Sequence, residues 1–336
     1  MSKTDMTPSL DRTYLEFITR PQPRLPYLKQ WLIEEVWTMK RFEECGGVPS
    51  EYLKSGEKLV NEKESLLTAT AFSYFKELTA APYPNRSIPD FFKQYPQGSV
   101  VVLDGCSLRE LPRFIELAKN SNRPVVENSC CRSAIPSTTE HFVKERLGFH
   151  LPSIGPSQLI TRQELKDHGL RYHYFQTPNE SQYISNESGP ILLWHRFPDL
   201  RFMDSTASNA DLYDGIWDSL ELVWKNTVQA LPGAHQVLVT SDHGYVFLGA
   251  GLNDTNLEQV DKPLKGKRFR EFEIDESLPD EETTGLFVDP ARRLAVIQGR
   301  CHNRPQAPSP SNSLYRHGGI SLMECLTPWL VLGPME

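Results

Sequence analysis

The tetrapeptide Ser241-Asp-His-Gly244 sets a carboxylate and an imidazole side by side. The preceding His235-Gln-Val-Leu-Val-Thr240 reads as a short, buried, β-branched strand. Asp242 and His243 therefore stand where a strand gives out, and Gly244 lets the chain turn. A carboxylate and an imidazole at a strand's end can converge on one divalent ion without a flexible loop first having to be ordered. Asp-His-Gly also occurs in ordinary turns, where Asp and Gly serve the backbone, so the motif needs partners elsewhere.

Three further places supply them. Asp104-Gly105 closes the apolar run Ser99-Val-Val-Val-Leu103, Asp199 and Asp204 follow Ile191-Leu-Leu-Trp-His-Arg-Phe197, and Tyr315-Arg-His-Gly-Gly319, with His317 at its centre, precedes the apolar Leu326–Leu332. Asp and His side chains gathered from several strand ends are what two neighbouring Zn²⁺ or Mn²⁺ ions require. Hard carboxylate oxygens neutralise the pair, and imidazoles suit a borderline metal.

The elements that must position these residues follow from the hydrophobic pattern. Ser99–Leu103 is apolar throughout, as a strand buried on both faces of a parallel sheet is, and a helix is predicted over Leu108–Asn120. The alternation continues with a strand from Pro124, a helix over Ser137–Leu147, a strand over Ile191–Phe197, and a long helix over Asn209–Leu231 that leads into the strand before Asp242. Such alternation predicts an α/β fold with a doubly wound, mostly parallel sheet, in which ligands collect outside the carboxyl ends of the strands. Two helical patterns precede it. Tyr27–Glu44 carries Leu28, Leu32, Val36 and Met39 at helical spacing, and Glu57–Leu78 carries Leu67, Ala71, Tyr74, Phe75 and Leu78. Residues 1–95 thus read as a helical N-terminal region capping a domain over 96–336. Two stretches break the alternation. The polar 153–189 has the length of a lid or small subdomain, and 249–313 contains a predicted hairpin, Gly285–Pro290 followed by Arg293–Gln298.

With 336 residues, 39% hydrophobic and 24% charged, the chain reads as a soluble globular protein. No apolar run approaches the ~20 residues that span a bilayer, and the polar, Pro-rich start carries no apolar signal core, so a cytoplasmic location and no membrane partner are expected. The six cysteines show no C-x-x-C spacing, which argues against a zinc knuckle or a disulfide framework. A net charge of −7 excludes a general basic footprint for nucleic acid. One local basic run exists, Lys262, Lys265, Lys267, Arg268 and Arg270. It reads either as a charge-mixed surface insertion or as an anion-binding lip before the acidic Glu271–Glu282.

Asp-Gly after the first strand, Pro136-Ser-Thr-Thr139, Ser-Asp-His-Gly and the late Arg316-His-Gly-Gly-Ile-Ser-Leu-Met-Glu324 together resemble the PglZ domain of the alkaline phosphatase superfamily, over roughly residues 99–332. The resemblance implies a two-metal phosphate or sulfate ester hydrolase, a phosphodiesterase acting on nucleotides or nucleic acid. It further implies a setting in bacterial phage defence among other proteins of such a system. Carried over residue by residue, Asp104, Asp242 and His243 are similar to the ligands of one metal and Asp199 and His317 to ligands of the other. Asp204 matches the fifth position best, and His195 is its rival. The pattern departs at the nucleophile. The usual hydroxyl or thiol two residues before the proline is here Ala134, leaving Thr138 or Ser133 as candidates, with Ser137 a neighbour, or a hydroxide held by the metals as attacker. Arg132 and Arg316 are candidates for holding the remaining phosphate oxygens. Ala134 also admits an alternative, a metal-stabilised but inactive module serving as a binding or scaffold subunit.

Overall fold

The computed structural model describes residues 25–70, 77–79, 87–147, 169–203, 209–248, 255–256, 264, 267–280, 285–302 and 315–335. In chain order the strands are β1 (Ser99–Leu103), β2 (Val125–Arg132), β3 (Arg171–Phe175), β4 (Ile191–His195), β5 (Val237–Thr240), β6 (Val246–Phe247), β7 (Thr255–Asn256), β8 (Phe269–Glu271), β9 (Leu286–Asp289), β10 (Leu294–Ile297), β11 (Cys301–His302), β12 (Tyr315–Arg316) and β13 (Leu326–Leu332). The α-helices are α1 (Leu25–Trp31), α2 (Met39–Glu44), α3 (Pro49–Thr70), α4 (Ile88–Gln94), α5 (Leu111–Asn120), α6 (Thr139–Arg146), α7 (Asp199–Met203), α8 (Asn209–Asn226) and α9 (Leu322–Cys325).

The central sheet runs β2-β13-β5-β1-β4-β3. Strands β5, β1, β4 and β3 are parallel, and β13 inserts antiparallel between β2 and β5. Strands β1, β4 and β5 are buried throughout, and the alternation of side chains across the pleat divides their apolar residues between two cores. Val101, Leu103, Ile191, Leu193, Val237 and Val239 pack with α5 and α8. Val100, Val102, Leu192, Trp194 and Leu238 pack with Ile88 and Phe91 of α4 and Phe142 and Val143 of α6. Helices on both faces make this the doubly wound α/β arrangement that the alternating pattern predicts.

Three expectations change in detail. The pattern over Tyr27–Glu44 is not one helix: a π-helical turn at Leu32–Val36 follows α1, and the chain then becomes extended at Thr38, whose hydroxyl caps α2 by accepting from Arg41 N at 3.1 Å. The break turns Trp37 into the core, where it is 2% exposed and its Nε1 donates to Met323 Sδ at 3.3 Å. The stretch 153–189 is not wholly an addition over the sheet, since β3 is its edge strand; residues 148–168 lie outside those described. In 249–313 the predicted hairpin is β9–β10, with β8 as a third antiparallel strand. Arg268 from the basic run is buried on Glu324 instead of facing solvent, because its guanidinium donates to both carboxylate oxygens at 2.7 and 2.8 Å; Lys262 and Lys265 lie outside the described residues.

The N-terminal helices join the sheet core. Leu28, Leu32, Val36, Trp37, Tyr52 and Val60 share one cluster with Val101, Leu103 and Met323. Buried ion pairs reinforce the junction: Glu57 accepts from Arg109 Nε at 2.7 Å and from Arg300 at 2.6 Å, and Glu64 accepts from Leu322 N at 2.8 Å. Among the described residues, Cys45, Cys106, Cys130, Cys131 and Cys325 form no disulfide with one another. No helix among the described residues is long and apolar enough to cross a membrane.

Candidate metal centre

The carboxyl ends of β1, β4 and β5 bring Asp104, Asp199, Asp242 and His243 to one edge of the sheet, and the turn after β12 adds His317. Their ligand atoms form two overlapping groups, Asp104–Asp242–His243 and Asp199–His243–His317. The backbone explains the convergence. Asp199 N donates to Asp104 O at 3.0 Å, and Gly105 takes φ +71° so that its N donates to Asp242 Oδ1 at 3.0 Å; a Cβ on Gly105 would stand 3.0 Å from Asp199 Cβ. Ser241 Oγ lies 2.5 Å from Leu103 O and 2.7 Å from His243 O, locking the turn after β5 against β1. Gly244 passes so close to α9 that a Cβ there would sit 2.1 Å from Met323 O.

Both histidines present the same ring nitrogen to the acids. His243 Nδ1 lies 2.9 Å from Gly244 O, and His317 Nδ1 lies 3.2 Å from Ser137 O. A carbonyl only accepts, so each Nδ1 carries the hydrogen and each Nε2 is left with a lone pair. Those lone pairs face carboxylate oxygens: His243 Nε2 stands 3.7 Å from Asp104 Oδ1 and 3.6 Å from Asp242 Oδ2, and His317 Nε2 stands 3.9 Å from Asp199 Oδ1. The two rings stack at 4.0 Å and 12°. Asp104 Oδ1 and His243 Nε2 are both buried with no hydrogen-bond partner among the described residues. Acceptors aimed at acceptors in a dry site are unfavourable until a cation lies between them. Burial pushes the Asp104 carboxyl well above the usual carboxylate range, and the charges of Asp242 and Asp199 add to the rise. Burial, then His243, holds the His317 imidazole below its ordinary value, in its neutral, ligating form. The residues present therefore fit divalent metal.

A second layer fixes the ligands. Ser137 Oγ donates to Gly319 O and accepts from Gly318 N, both at 2.9 Å, tying the His317 turn to the segment before α6. Glu324 accepts from Gly319 N at 2.9 Å and binds Arg268, while its main-chain oxygen accepts from Gly244 N at 2.9 Å. The late Arg-His-Gly-Gly…Glu run thus acts as one unit, with Glu324 clamping both glycine turns.

Of the hydroxyls considered from the sequence, neither Thr138 nor Ser133 reaches the acid cluster through its side chain. Thr138 is the N-cap of α6: its Oγ1 accepts from His141 N at 3.4 Å and lies 2.7 Å from His141 Nδ1. Ser133 Oγ is fully buried and donates to the main-chain oxygen of Asp242. Ala134 lies in the second core. Two hydroxyls among the described residues meet the Asp242 carboxylate: Ser241 Oγ, 3.3 Å from Oδ1 and spent on the main chain of the turn, and Thr139 at the first position of α6, whose Oγ1 donates to Oδ2 at 2.6 Å. Its signal was present in Pro-Ser-Thr-Thr, because a capping Thr138 makes the next residue the helix N-terminus.

Two arginines were named from the sequence. Arg132 donates to the main-chain oxygens of Leu78 and Thr79, its pKa pushed down to about 10 by burial. Arg316 is half-buried on β12, its pKa lowered by burial and by Arg268. Asp204 lies outside the described residues. His195, its rival, is a core histidine: its Nδ1 accepts from Phe197 N at 3.0 Å, so its hydrogen is on Nε2 and it has no lone pair to offer.

No family model matches the sequence, and no curated protein matches it. Solved structures do. Murine ectonucleotide pyrophosphatase/phosphodiesterase 5 is similar at 14% identity over 71% of this chain and 88% of its own, with a TM-score of 0.42. The human protein of the same name gives the same identity, coverage and TM-score. Phosphonoacetate hydrolase from Sinorhizobium meliloti 1021, in complex with phosphonoacetate, is similar at 13% identity over 70% of this chain and 90% of its own, with a TM-score of 0.38.

Proposed function

We propose that the chain is a metal-dependent phosphoric ester hydrolase with Thr139 as its nucleophile. The observation that carries this reading is the paired presentation of His243 and His317, each with Nδ1–H held by a carbonyl and Nε2 aimed at a carboxylate, beside the Thr139 hydroxyl on Asp242 Oδ2. Asp104, Asp242 and His243 would hold one divalent ion, zinc or manganese, and Asp199 and His317 a second. Bound there, such ions supply Lewis-acid stabilisation of charge on the phosphoryl and leaving oxygens.

The chain's own residues do the rest. Asp242 Oδ2 accepts the Thr139 hydroxyl hydrogen and so turns an oxygen lone pair away from itself. Thr139 stands at the N-terminus of α6, so the positive end of the helix dipole lies beside that oxygen, favouring an anionic phosphoryl group. Attack forms the Thr139 Oγ1–phosphorus bond, the hydroxyl proton is lost to water, and the bond to the leaving oxygen breaks with its electron pair going to that oxygen, which takes up a proton from water. Water then cleaves the phosphothreonine and restores the hydroxyl.

The finer reading follows the resemblance to PglZ domains: a phosphodiester of nucleotides or nucleic acid as substrate, in a phage-defence system with other protein subunits. Ala134 had favoured an inactive scaffold instead. The placement of Thr139 on Asp242 supports the enzyme, since a hydroxyl is supplied five residues later. The test is bis-p-nitrophenyl phosphate hydrolysis with added Mn²⁺ or Zn²⁺. Thr139→Ala is expected to lose at least about a thousandfold in kcat while keeping its metal, and Thr139→Ser to retain activity. Undiminished turnover in Thr139→Ala would remove the nucleophile assignment.

A further inference from the structure

Among the described residues, the buried hydrogen-bond donors without a partner include two at the ends of β3 and β4. Arg196 Nε and Tyr174 Oη are buried and have no hydrogen-bond partner among the described residues. The register of the sheet places them. β1 and β4 pair Leu103 with His195, and Asp104 N donates to His195 O at 2.8 Å, so the next lateral pair is Asp104 and Arg196 on strands about 4.8 Å apart. Alternation along β4 puts Arg196 on the face of Leu192 and Trp194, which α6 covers: Phe142 of that helix meets Trp194 at 6.2 Å between ring centroids. On the other side of β4, Tyr174 is in register with Trp194, so its ring shares that face, two residue pairs short of Arg196.

An arginine in such a place ordinarily pairs with the nearest carboxylate. Among the described residues no ion pair joins Arg196 to Asp104 or Asp199, although its charge opposes the rise of the Asp104 carboxyl and acts on Tyr174 as well. Asp104 is committed by its geometry to His243 and Asp242, which leaves the guanidinium for an anion from outside. The position also separates two roles. Asp242, which receives the Thr139 hydroxyl, follows β5, and Arg196 follows β4, with β1 between them. Two strand spacings are about 10 Å at the backbone, a span that two linked phosphates and an arginine side chain fill better than one phosphate alone.

We infer that Arg196 and Tyr174 form a subsite for a second phosphate of the substrate, joined to the phosphoryl group that Thr139 attacks; the inference rests on the phosphoesterase reading. Arg196 gives the charge and Tyr174 a directed O–H, so the preferred substrates are phosphoric anhydrides and esters carrying a linked diphosphate, in contrast to simple diesters.

The test is isothermal titration of imidodiphosphate, and separately of inorganic phosphate, into the full chain at a constant excess of free Mn²⁺. The wild type is expected to bind imidodiphosphate at least about tenfold more tightly than phosphate. Arg196→Gln is expected to abolish that preference, Arg196→Lys to keep part of it, and Tyr174→Phe to reduce it several-fold. Arg171→Ala, exposed at the far end of β3, serves as a control and is expected to keep it. No preference in the wild type, or a preference that survives Arg196→Gln with a native circular dichroism spectrum, overturns the inference. Should the Arg196 variants not fold, Tyr174→Phe decides: an unchanged preference there overturns it too. A preference that is lost in Arg196→Gln, in a protein that hydrolyses no ester, fails the phosphoesterase reading and leaves the subsite standing.

Discussion

Thr138 and Thr139 are one position apart and do different things. The first spends its oxygen on the α6 N-cap, and the second reaches Asp242. Thr138→Ala is therefore expected to lower stability by about 1 kcal/mol in urea unfolding, the worth of a cap, while ester hydrolysis survives. The sequence offers Pro-Ser-Thr-Thr as a helix start but does not say which threonine caps, because that depends on where the turn after Pro136 releases the chain. The strand-end acids were legible, since each follows an apolar run that a sheet must bury. A strand histidine such as His195 was legible as a core residue, but its tautomer was not, because that depends on a ring nitrogen's partner. Burial lowers the His195 pKa to about 4 from an ordinary value of 6.5. The unfolded chain therefore takes the proton first: this contribution to stability is full above pH 6.5, falls as the pH drops from 6.5 to 4, and is flat below. Wild type should lose up to about 3 kcal/mol more than His195→Gln across that window in urea titrations. Parallel curves would show the ring to be solvated.

At the scale of elements, the site is a junction of four turns held by few side chains. Ser137 ties the His317 turn to the start of α6, and Glu324 ties the turns at Gly244 and Gly319 to α9. Ser137→Ala frees the main chain that orients His317 without touching a metal-facing atom, so metal affinity should fall about 10- to 100-fold in a competitive chelator titration. Unchanged affinity would mean that the turn holds itself. The sequence marks the His-Gly motifs but not this bracing, because Ser137 and Glu324 meet the loop only once β13 has inserted between β2 and β5. The same insertion was invisible in the alternation of strands and helices, which carries no strand order. The edge position of β3 was hidden for a related reason: Arg171–Phe175 is polar and aromatic, as an edge strand is, and reads as loop.

Across the whole molecule, the helical N-terminal region and the sheet are bound by shared apolar core and by a buried charge cluster. Glu57 on α3 holds Arg109 and Arg300, and its pKa is lowered despite burial because the two guanidinium groups outweigh desolvation. Glu57→Gln leaves both arginines under-compensated in the interior, so a loss of about 3–5 kcal/mol is expected in urea unfolding. A loss below about 1 kcal/mol would show that the helices merely lean on the sheet. This coupling escaped the sequence because the periodicity of the first helices gives their apolar face but not what covers it. The central claim is that the acids and imidazoles at the strand ends are a metal site, and metal content tests it most directly. Plasma mass spectrometry of the purified full chain, after equilibration with Zn²⁺ or Mn²⁺ and desalting, should find about two ions per chain, one for each ligand group, and none retained by Asp242→Ala/His243→Ala. A metal-free wild type, or a double variant that binds metal as the wild type does, would contradict it.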